Sequence, residues 1–308
     1  MRYLVEYFKQ KVKKYLPSNK NSIFLLGQSS IISSRILSKD FKNLWDAEVK
    51  VYSQWGEDGI LDYIFGKLEV IKPKIIEIGA GNFSECNSRF AAENLNASVV
   101  AIDGRSDLIE NVSKSELNWK THLLGIQAWV TPGNVNSLIS KASTFMSGID
   151  LLSLDLDGND YWIIESANLS SIKIVLVEYN PLFGGEKALS VPEDESFDRT
   201  TKHFSRLYYG ASLPAFVMAL NKKGFKFIGT NRVGNNAFFI SEEFSELIPF
   251  RPNPNQNCYY DWRIRESRDE KLNLSLLAGD DRLAAIADLP LVDVSTKQTT
   301  SLRKELHL

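Results

Sequence analysis

The stretch Lys74-Ile-Ile-Glu-Ile-Gly-Ala-Gly-Asn-Phe-Ser84 constrains this chain more than any other. An apolar, β-rich run passes Glu77 and stops at Gly79, and two glycines, Gly79 and Gly81, turn the backbone toward a helix-compatible segment. Glycine has no Cβ, so a turn of this kind lets backbone N–H groups approach a ligand closely at a helix start. The ligand class this predicts is a nucleotide-like cofactor. One helix and one strand later, Ser98-Val-Val-Ala-Ile-Asp103-Gly104 again ends in an acid. In a doubly wound sheet that acid lies beside the glycine turn, within reach of ribose hydroxyls.

The runs that follow keep the same rhythm. Residues 121–130, 149–155 and 172–178 read as strands, and the near-continuous apolar character of the last two suits central parallel strands buried on both faces. Helices are predicted over 84–95, 135–146 and 213–223. Phe225–Thr230 and Asn236–Ser241 are strands joined by the short turn Asn231-Arg-Val-Gly-Asn235, which makes them an antiparallel pair. The expected fold is therefore α/β: a doubly wound, mostly parallel, seven-stranded Rossmann-like sheet with an antiparallel closing hairpin, an arrangement that resembles the methyltransferase sheet. Three regions are expected: an N-terminal helical extension over 1–45, the sheet domain over 46–245, and a C-terminal extension over 246–308. The extension opens on an irregular linker at Pro252 and Pro254, and 272–286 is its one apolar, helix-like stretch.

Composition excludes several classes. A net charge of −2 over 308 residues gives no electrostatic footprint for nucleic acid. No apolar run approaches the roughly 18 residues a membrane span needs. Cys86 and Cys258 are the only cysteines, too few for a disulfide framework or a zinc site, so the cytoplasm is the expected compartment. Residues 1–20 carry six basic side chains against one acid, Glu6, with aromatic and aliphatic residues at helical spacing. Such a helix either docks on the core or lies on an anionic membrane surface, here the inner face, as a peripheral contact. The tail is free to pack on the core or on a second copy, which leaves a homo-oligomer open.

Ligands of open parallel sheets bind beyond the carboxyl ends of the strands. Glu77, Asp103, Asp155 and Glu178 all fall at such ends, so four acids should gather on one rim. Asp155-Leu-Asp157-Gly-Asn-Asp160 and Glu178-Tyr-Asn180 are the richest segments, although Asp157, Asn159 and Asp160 also suit a helix cap. Asp155 is the expected proton acceptor, with His203 a second candidate because its ordinary pKa lies near neutrality. Asp157, Asp160, Asn180 and Tyr209 are expected to hold the acceptor.

The form Glu77-x-Gly79-x-Gly81, with Ser84 where the dinucleotide pattern has a third glycine and with Asp103 ending the next strand, resembles motifs I and II of class I S-adenosylmethionine-dependent methyltransferases. Together with segments 53–59, 155–160, 178–181 and 208–213, the chain is similar over 50–242 to the FkbM-type branch, many of whose members O-methylate sugars or polyketides. The resemblance implies S-adenosylmethionine as cofactor, held by Gln54, Glu57, Glu77, Gly79, Gly81, Ser84, Asp103 and Gly104. It implies a hydroxyl acceptor on a sugar, glycan precursor or related polar molecule. Metal-dependent small-molecule O-methyltransferases place an acid after the fourth strand and an acid–amide pair after the fifth. That likeness implies Mg²⁺ on Asp155, Glu178 and Asn180, with Glu-Tyr-Asn in place of an adjacent pair. A nicotinamide oxidoreductase shares the glycine turn and Asp103 but has the third glycine, and a scaffolding module on the same fold is the non-enzymatic alternative.

Overall fold

The computed structural model describes residues 41–253, 264 and 266–307. The helices expected within 1–40 lie outside the described residues. In chain order the main elements are α1 (Glu57–Lys67), β1 (Lys74–Ile78), α2 (Arg89–Asn94), β2 (Ser98–Asp103), α3 (Leu108–Ser113), β3 (Leu123–Gln127), α4 (Val135–Met146), β4 (Leu151–Leu154), α5 (Asp160–Ser166) and β5 (Ile174–Glu178). Then come β6 (Leu189–Ser190), α6 (Arg199–Lys202), α7 (Leu213–Lys222), β7 (Phe225–Thr230), β8 (Asn236–Ser241), α8 (Asp280–Ile286), β9 (Leu291–Asp293), β10 (Gln298–Thr300) and α9 (Leu302–Leu306).

Seven strands form one sheet in the order β3-β2-β1-β4-β5-β8-β7. β8 runs antiparallel to both of its neighbours, while β1 to β5 are parallel. This is the Rossmann-like sheet of the methyltransferase fold, with its closing hairpin. Two apolar layers cover it, one built on Ile76, Val100, Leu152 and Val175, the other on Ile75, Val99, Leu151 and Ile174. Successive side chains of a strand point to opposite faces, so strands sandwiched between two layers are buried throughout, as β4 is, with Ser153 its one polar residue.

The register positions the site. Ile78 pairs with Ile102 on one side and Leu154 on the other, and Leu154 pairs with Val177. One step further on, Asp155 and Glu178 emerge side by side, with Asp103 across β1. The chain winds outward from β1 in one direction through β2 and β3 and in the other through β4 and β5. The crevice at that switch lies directly over Gly79.

Two expectations change, and the C-terminal extension, left free to pack on the core or on a second copy, is found against the core. The helix expected over 84–95 begins only at Arg89, because the Glu77 carboxylate accepts bonds from the backbone N–H groups of Asn87 and Ser88 and from the Ser88 hydroxyl, which holds the preceding residues as a loop. The stretch 272–286 is helical only over Asp280–Ile286, and Arg268 instead bridges to Leu274. The C-terminal extension does not pack by itself: β9 and β10 join β6 in a second sheet. Leu283, Ile286, Leu291 and Leu302 share one small core with Leu182, Phe183, Leu189, Phe197, Tyr208 and Tyr209. Strands of two or three residues leave too little pattern to read from sequence.

Leu302 is fully buried in that small core, so Leu302→Ala should cost about 2–5 kcal/mol. Urea unfolding of the variant checks this, and an unchanged midpoint would contradict the packing. Among the described residues, no helix is long and apolar enough to cross a membrane.

Candidate active site

Two cavities meet at Asp155 and Asp157. The first, about 460 Å³, is lined by Gly79, Gly81, Asp103, Gly104 and Arg105 on one side and by Ala128, Trp129, Val130, Leu156, Asn159 and Phe197 on the other. Gly79 has φ +88°, and a Cβ there would lie 1.6 Å from the carbonyl oxygen of Asp155, so only glycine lets β1 turn under the β4 end. Gly81 has φ +56° and open space where a Cβ would be. Asp103 accepts a bond from the Gly81 N–H at 2.8 Å and another from the Arg105 N–H at 2.9 Å. The strand-end acid is thereby braced against the turn, and each oxygen keeps lone pairs for a ligand.

A loop from the insertion after β5 closes over this cavity. The Trp129 indole N–H donates to the Glu195 carbonyl at 2.6 Å, and Phe197 sits on Gly158, where a Cβ would lie 2.5 Å from its ring. These groups fit an adenosyl cofactor: Asp103 would take ribose hydroxyls, the Ala128–Trp129–Val130 slot would take a planar base, and the glycine turn would admit the rest of the chain. The slot was not foreseen, because the end of the third strand carries neither an acid nor a glycine.

Several expected cofactor contacts lie elsewhere. Glu77 is buried beneath the loop it organises and does not line the cavity. Ser84 is exposed, with its hydroxyl donating to Asn82. Glu57 is fully buried, accepting from the Trp55 N–H and from the side-chain amides of Asn231 and Asn236, so it ties α1 to the hairpin turn. Gln54 lines the second cavity instead of the first.

The second cavity, about 600 Å³, is lined by Lys50, Gln54, Trp55 and Glu85 on one wall and by Asp155, Asp157, Glu178, Arg199, Tyr209 and Asn235 on the other. Carboxylate oxygens of Asp155, Asp157 and Glu178 all lie within 4.8 Å of one another. The Asp155 and Glu178 carboxyls stand side by side, and Asn235 donates to Glu178 at 3.2 Å. Burial, then the charges of Asp157 and Asp160, push Asp155 well above the ordinary carboxylate range. Glu178 is raised by burial and then by Asp155 and Asp157. Carboxyls this close oppose each other's ionisation, which favours one shared proton between them.

Arg199, which no motif announced, sits at this cluster. Its guanidinium pairs with Asp157 and lies 3.9 Å from the centroid of the Tyr209 ring, and its Nε donates to the Arg206 carbonyl at 2.6 Å. Burial, then the nearby charge of Glu178, holds the Tyr209 phenol protonated well above its usual range.

No protein-family model matches the chain, and no curated protein matches it. Among solved structures it is similar to the Methanococcus jannaschii fibrillarin pre-rRNA processing protein, at 14% identity over 56% of this chain and 67% of that one, with a TM-score of 0.36. It is similar to the cofactor-bound Rv0187 protein from MTB, at 12% identity over 76% and 96% of the two chains and a TM-score of 0.34. A putative O-methyltransferase from Nostoc punctiforme PCC 73102 gives 13% identity over 70% and 68%, with a TM-score of 0.32. Likeness at this level bears no weight for individual residues, so the FkbM-type resemblance rests on the motifs alone.

Three expected acceptor-side residues are committed elsewhere. Asp160 is fully buried and accepts from the Leu156 and Gly158 N–H groups at 2.7 and 2.8 Å, which makes it the organiser of the loop after β4; burial lifts it to about 6. Asn180 is likewise enclosed. Its amide donates to the Leu207 and Tyr209 carbonyls and accepts from the Leu182 N–H, which fixes the insertion but leaves it no part in a metal site. His203 bonds to Ser205 at 2.7 Å, packs on Phe204 and lines neither cavity, so it is not placed to take a substrate proton. The set Asp155, Glu178 and Asn180 therefore does not fit Mg²⁺, and the cation found at the acid cluster is the Arg199 guanidinium.

Proposed function

We propose that the chain is an S-adenosylmethionine-dependent methyltransferase that transfers to a hydroxyl of a neutral, sugar-like acceptor. The observation carrying this reading is that Asp155 stands where the two cavities join, with Asp103 braced on the far side of the glycine turn. S-adenosylmethionine supplies an electrophilic sulfonium methyl when bound. Asp103 and the 128–130 slot orient it from one side, and Phe197 with the Trp129–Glu195 clasp keeps water out. Asp155 faces the incoming hydroxyl and takes its proton, while Glu178 keeps the shared proton and donates to Asp155.

The second cavity supports the choice of acceptor. Among the described residues it carries Glu85, Asp155, Asp157, Glu178 and Glu266 against Lys50 and Arg199, an acid excess that disfavours phosphorylated acceptors such as nucleotide sugars. Trp55 offers an aromatic face beside polar groups, a combination that suits the apolar face and the hydroxyls of a sugar ring. A place in glycan biosynthesis belongs to the same proposal.

Calorimetric titration with S-adenosylhomocysteine, with NADH as control, tests the cofactor. Asp103→Ala should weaken S-adenosylhomocysteine binding by about 1–3 kcal/mol, the range for charge-assisted hydrogen bonds left unmade. Preference for NADH, or an unaffected variant, would sink the reading.

A pH profile tests the base. Asp155 must be ionised to accept a proton, and its pKa is raised, so turnover should rise with pH along a limb above the ordinary carboxylate range. Asp157→Asn removes a like charge and releases Arg199 toward Asp155, and both changes favour the ionised form. The limb should therefore move to lower pH. A limb that stays in place would assign the proton to another group.

A further inference from the structure

We propose that Arg199 is the built-in cation of the acceptor cavity, occupying the role a divalent metal would otherwise take among Asp155, Asp157 and Glu178. The inference rests on the acceptor-site reading only for its part in transfer, since ion binding is measurable without any acceptor.

The geometry has two halves. Three carboxylates from the ends of two adjacent parallel strands converge within 4.8 Å, the oxygen-rich arrangement hard divalent cations select. A guanidinium already stands there, and it is held from several directions. Arg199 opens α6, a single helical turn whose N-cap Asp198 accepts from the Thr200 N–H at 2.8 Å, so the backbone under the side chain is fixed. Its Nε is spent on the Arg206 carbonyl, its flat face lies on the Tyr209 ring, and a terminal nitrogen is paired with Asp157. The side chain is only 16% exposed. An arginine packed on an aromatic ring and forked between a carbonyl and a carboxylate loses its position, and with it several contacts, if it swings aside.

Charge makes the same point. Arg199 already supplies positive charge among the three carboxyls, and a fixed guanidinium repels a second cation at the same place. Arg199 also acts on both raised carboxyls in the direction that favours their ionised forms. It is a positioning and charge-balancing residue, acting on the acceptor through Asp155 and Asp157.

The test is Mn²⁺ binding to the full chain, followed by electron paramagnetic resonance and by calorimetry. Wild type and Arg199→Lys, which keeps the charge, are expected to bind Mn²⁺ only weakly, at millimolar concentrations. Arg199→Ala frees the three carboxylates and should bind at least ~10-fold more tightly, as ligand charge count governs affinity at such sites. Adding Asp157→Asn should remove the gain. S-adenosylhomocysteine affinity serves as the folding control, because Arg199 does not line the first cavity. Should Arg199→Ala fail that control, Arg199→Gln, which keeps the stem over Tyr209, replaces it. Tight Mn²⁺ binding by wild type, or no gain in a folded Arg199→Ala or Arg199→Gln, overturns the proposal. Loss of transfer in EDTA with recovery in Mg²⁺ overturns it too. Failure of the methyltransferase reading would show separately, in the S-adenosylhomocysteine and NADH titrations.

Discussion

Asp155→Asn is expected to lower turnover by about 100-fold or more while changing S-adenosylhomocysteine affinity by less than about 1 kcal/mol, the pattern of a group that acts only in the transfer step. The substitution keeps the shape of the side chain at the junction of the two cavities and removes its charge. Asp103, the glycine turn and the 128–130 slot, which would bind the cofactor, are untouched. Glu178→Gln makes the informative partner. Glu178 holds the shared proton and serves Asp155 as a donor, and a glutamine amide donates in the same place, so its turnover should fall by about tenfold or less. Equal damage from the two variants would make the pair a joint base. Wild-type turnover by Asp155→Asn on a true acceptor would reduce the cluster to the scaffolding of the loop after β4.

Gly79→Ala should be the most damaging change to the fold near the site, costing about 3 kcal/mol or more. The new methyl would overlap the Asp155 carbonyl, and φ at +88° is unfavourable for alanine besides. Relief requires moving either the turn or the β4 end, and each carries part of both cavities. S-adenosylhomocysteine affinity should drop by on the order of 100-fold, the factor that roughly 2.7 kcal/mol represents. Gly81→Ala is the contrast, because nothing lies within 4 Å of its Cβ position. It should cost the fold only the penalty of its left-handed backbone, about 1–2 kcal/mol, and weaken binding. If both variants unfold alike, backbone strain in the turn, rather than the clash with Asp155, is what Gly79 relieves.

Most of the sheet could be read from the chain because its central strands are buried on both faces, which makes runs such as Leu151–Leu154 and Ile174–Glu178 apolar apart from Ser153 and the terminal acid. The hairpin β7–β8 announced itself through its short glycine-containing turn. The acids were legible as strand ends, yet their jobs were not. Glu57, Glu77 and Asp160 each look like site acids by position, and each turned out to hold backbone or amide N–H groups around a loop. Sequence offers no way to tell a carboxylate facing a ligand from one facing the peptide groups a few residues away. Arg199 was missed for a related reason. It lies 21 residues past the end of β5 in an insertion without periodicity, and only the packing of Phe197, Tyr208 and Tyr209 onto a distant segment brings it to the acids. His203 went the other way: rarity and an apt pKa made it a candidate, and the fold turned it away.

The small sheet β10-β9-β6 has a consequence for the order in which the protein comes into being. Every residue lining the first cavity lies between Gly79 and Phe197, so that half is translated early. The wall bearing Arg199 and Tyr209 is buttressed by Leu283, Leu291 and Leu302, which leave the ribosome roughly 75 to 100 residues after it. At ~5–20 residues per second that wall, and Phe197 with it, waits several seconds for its buttress. The wall bearing Arg199 and Tyr209 is thus the last part of the site to be completed, and a chain cut short before Leu291 would lack its support.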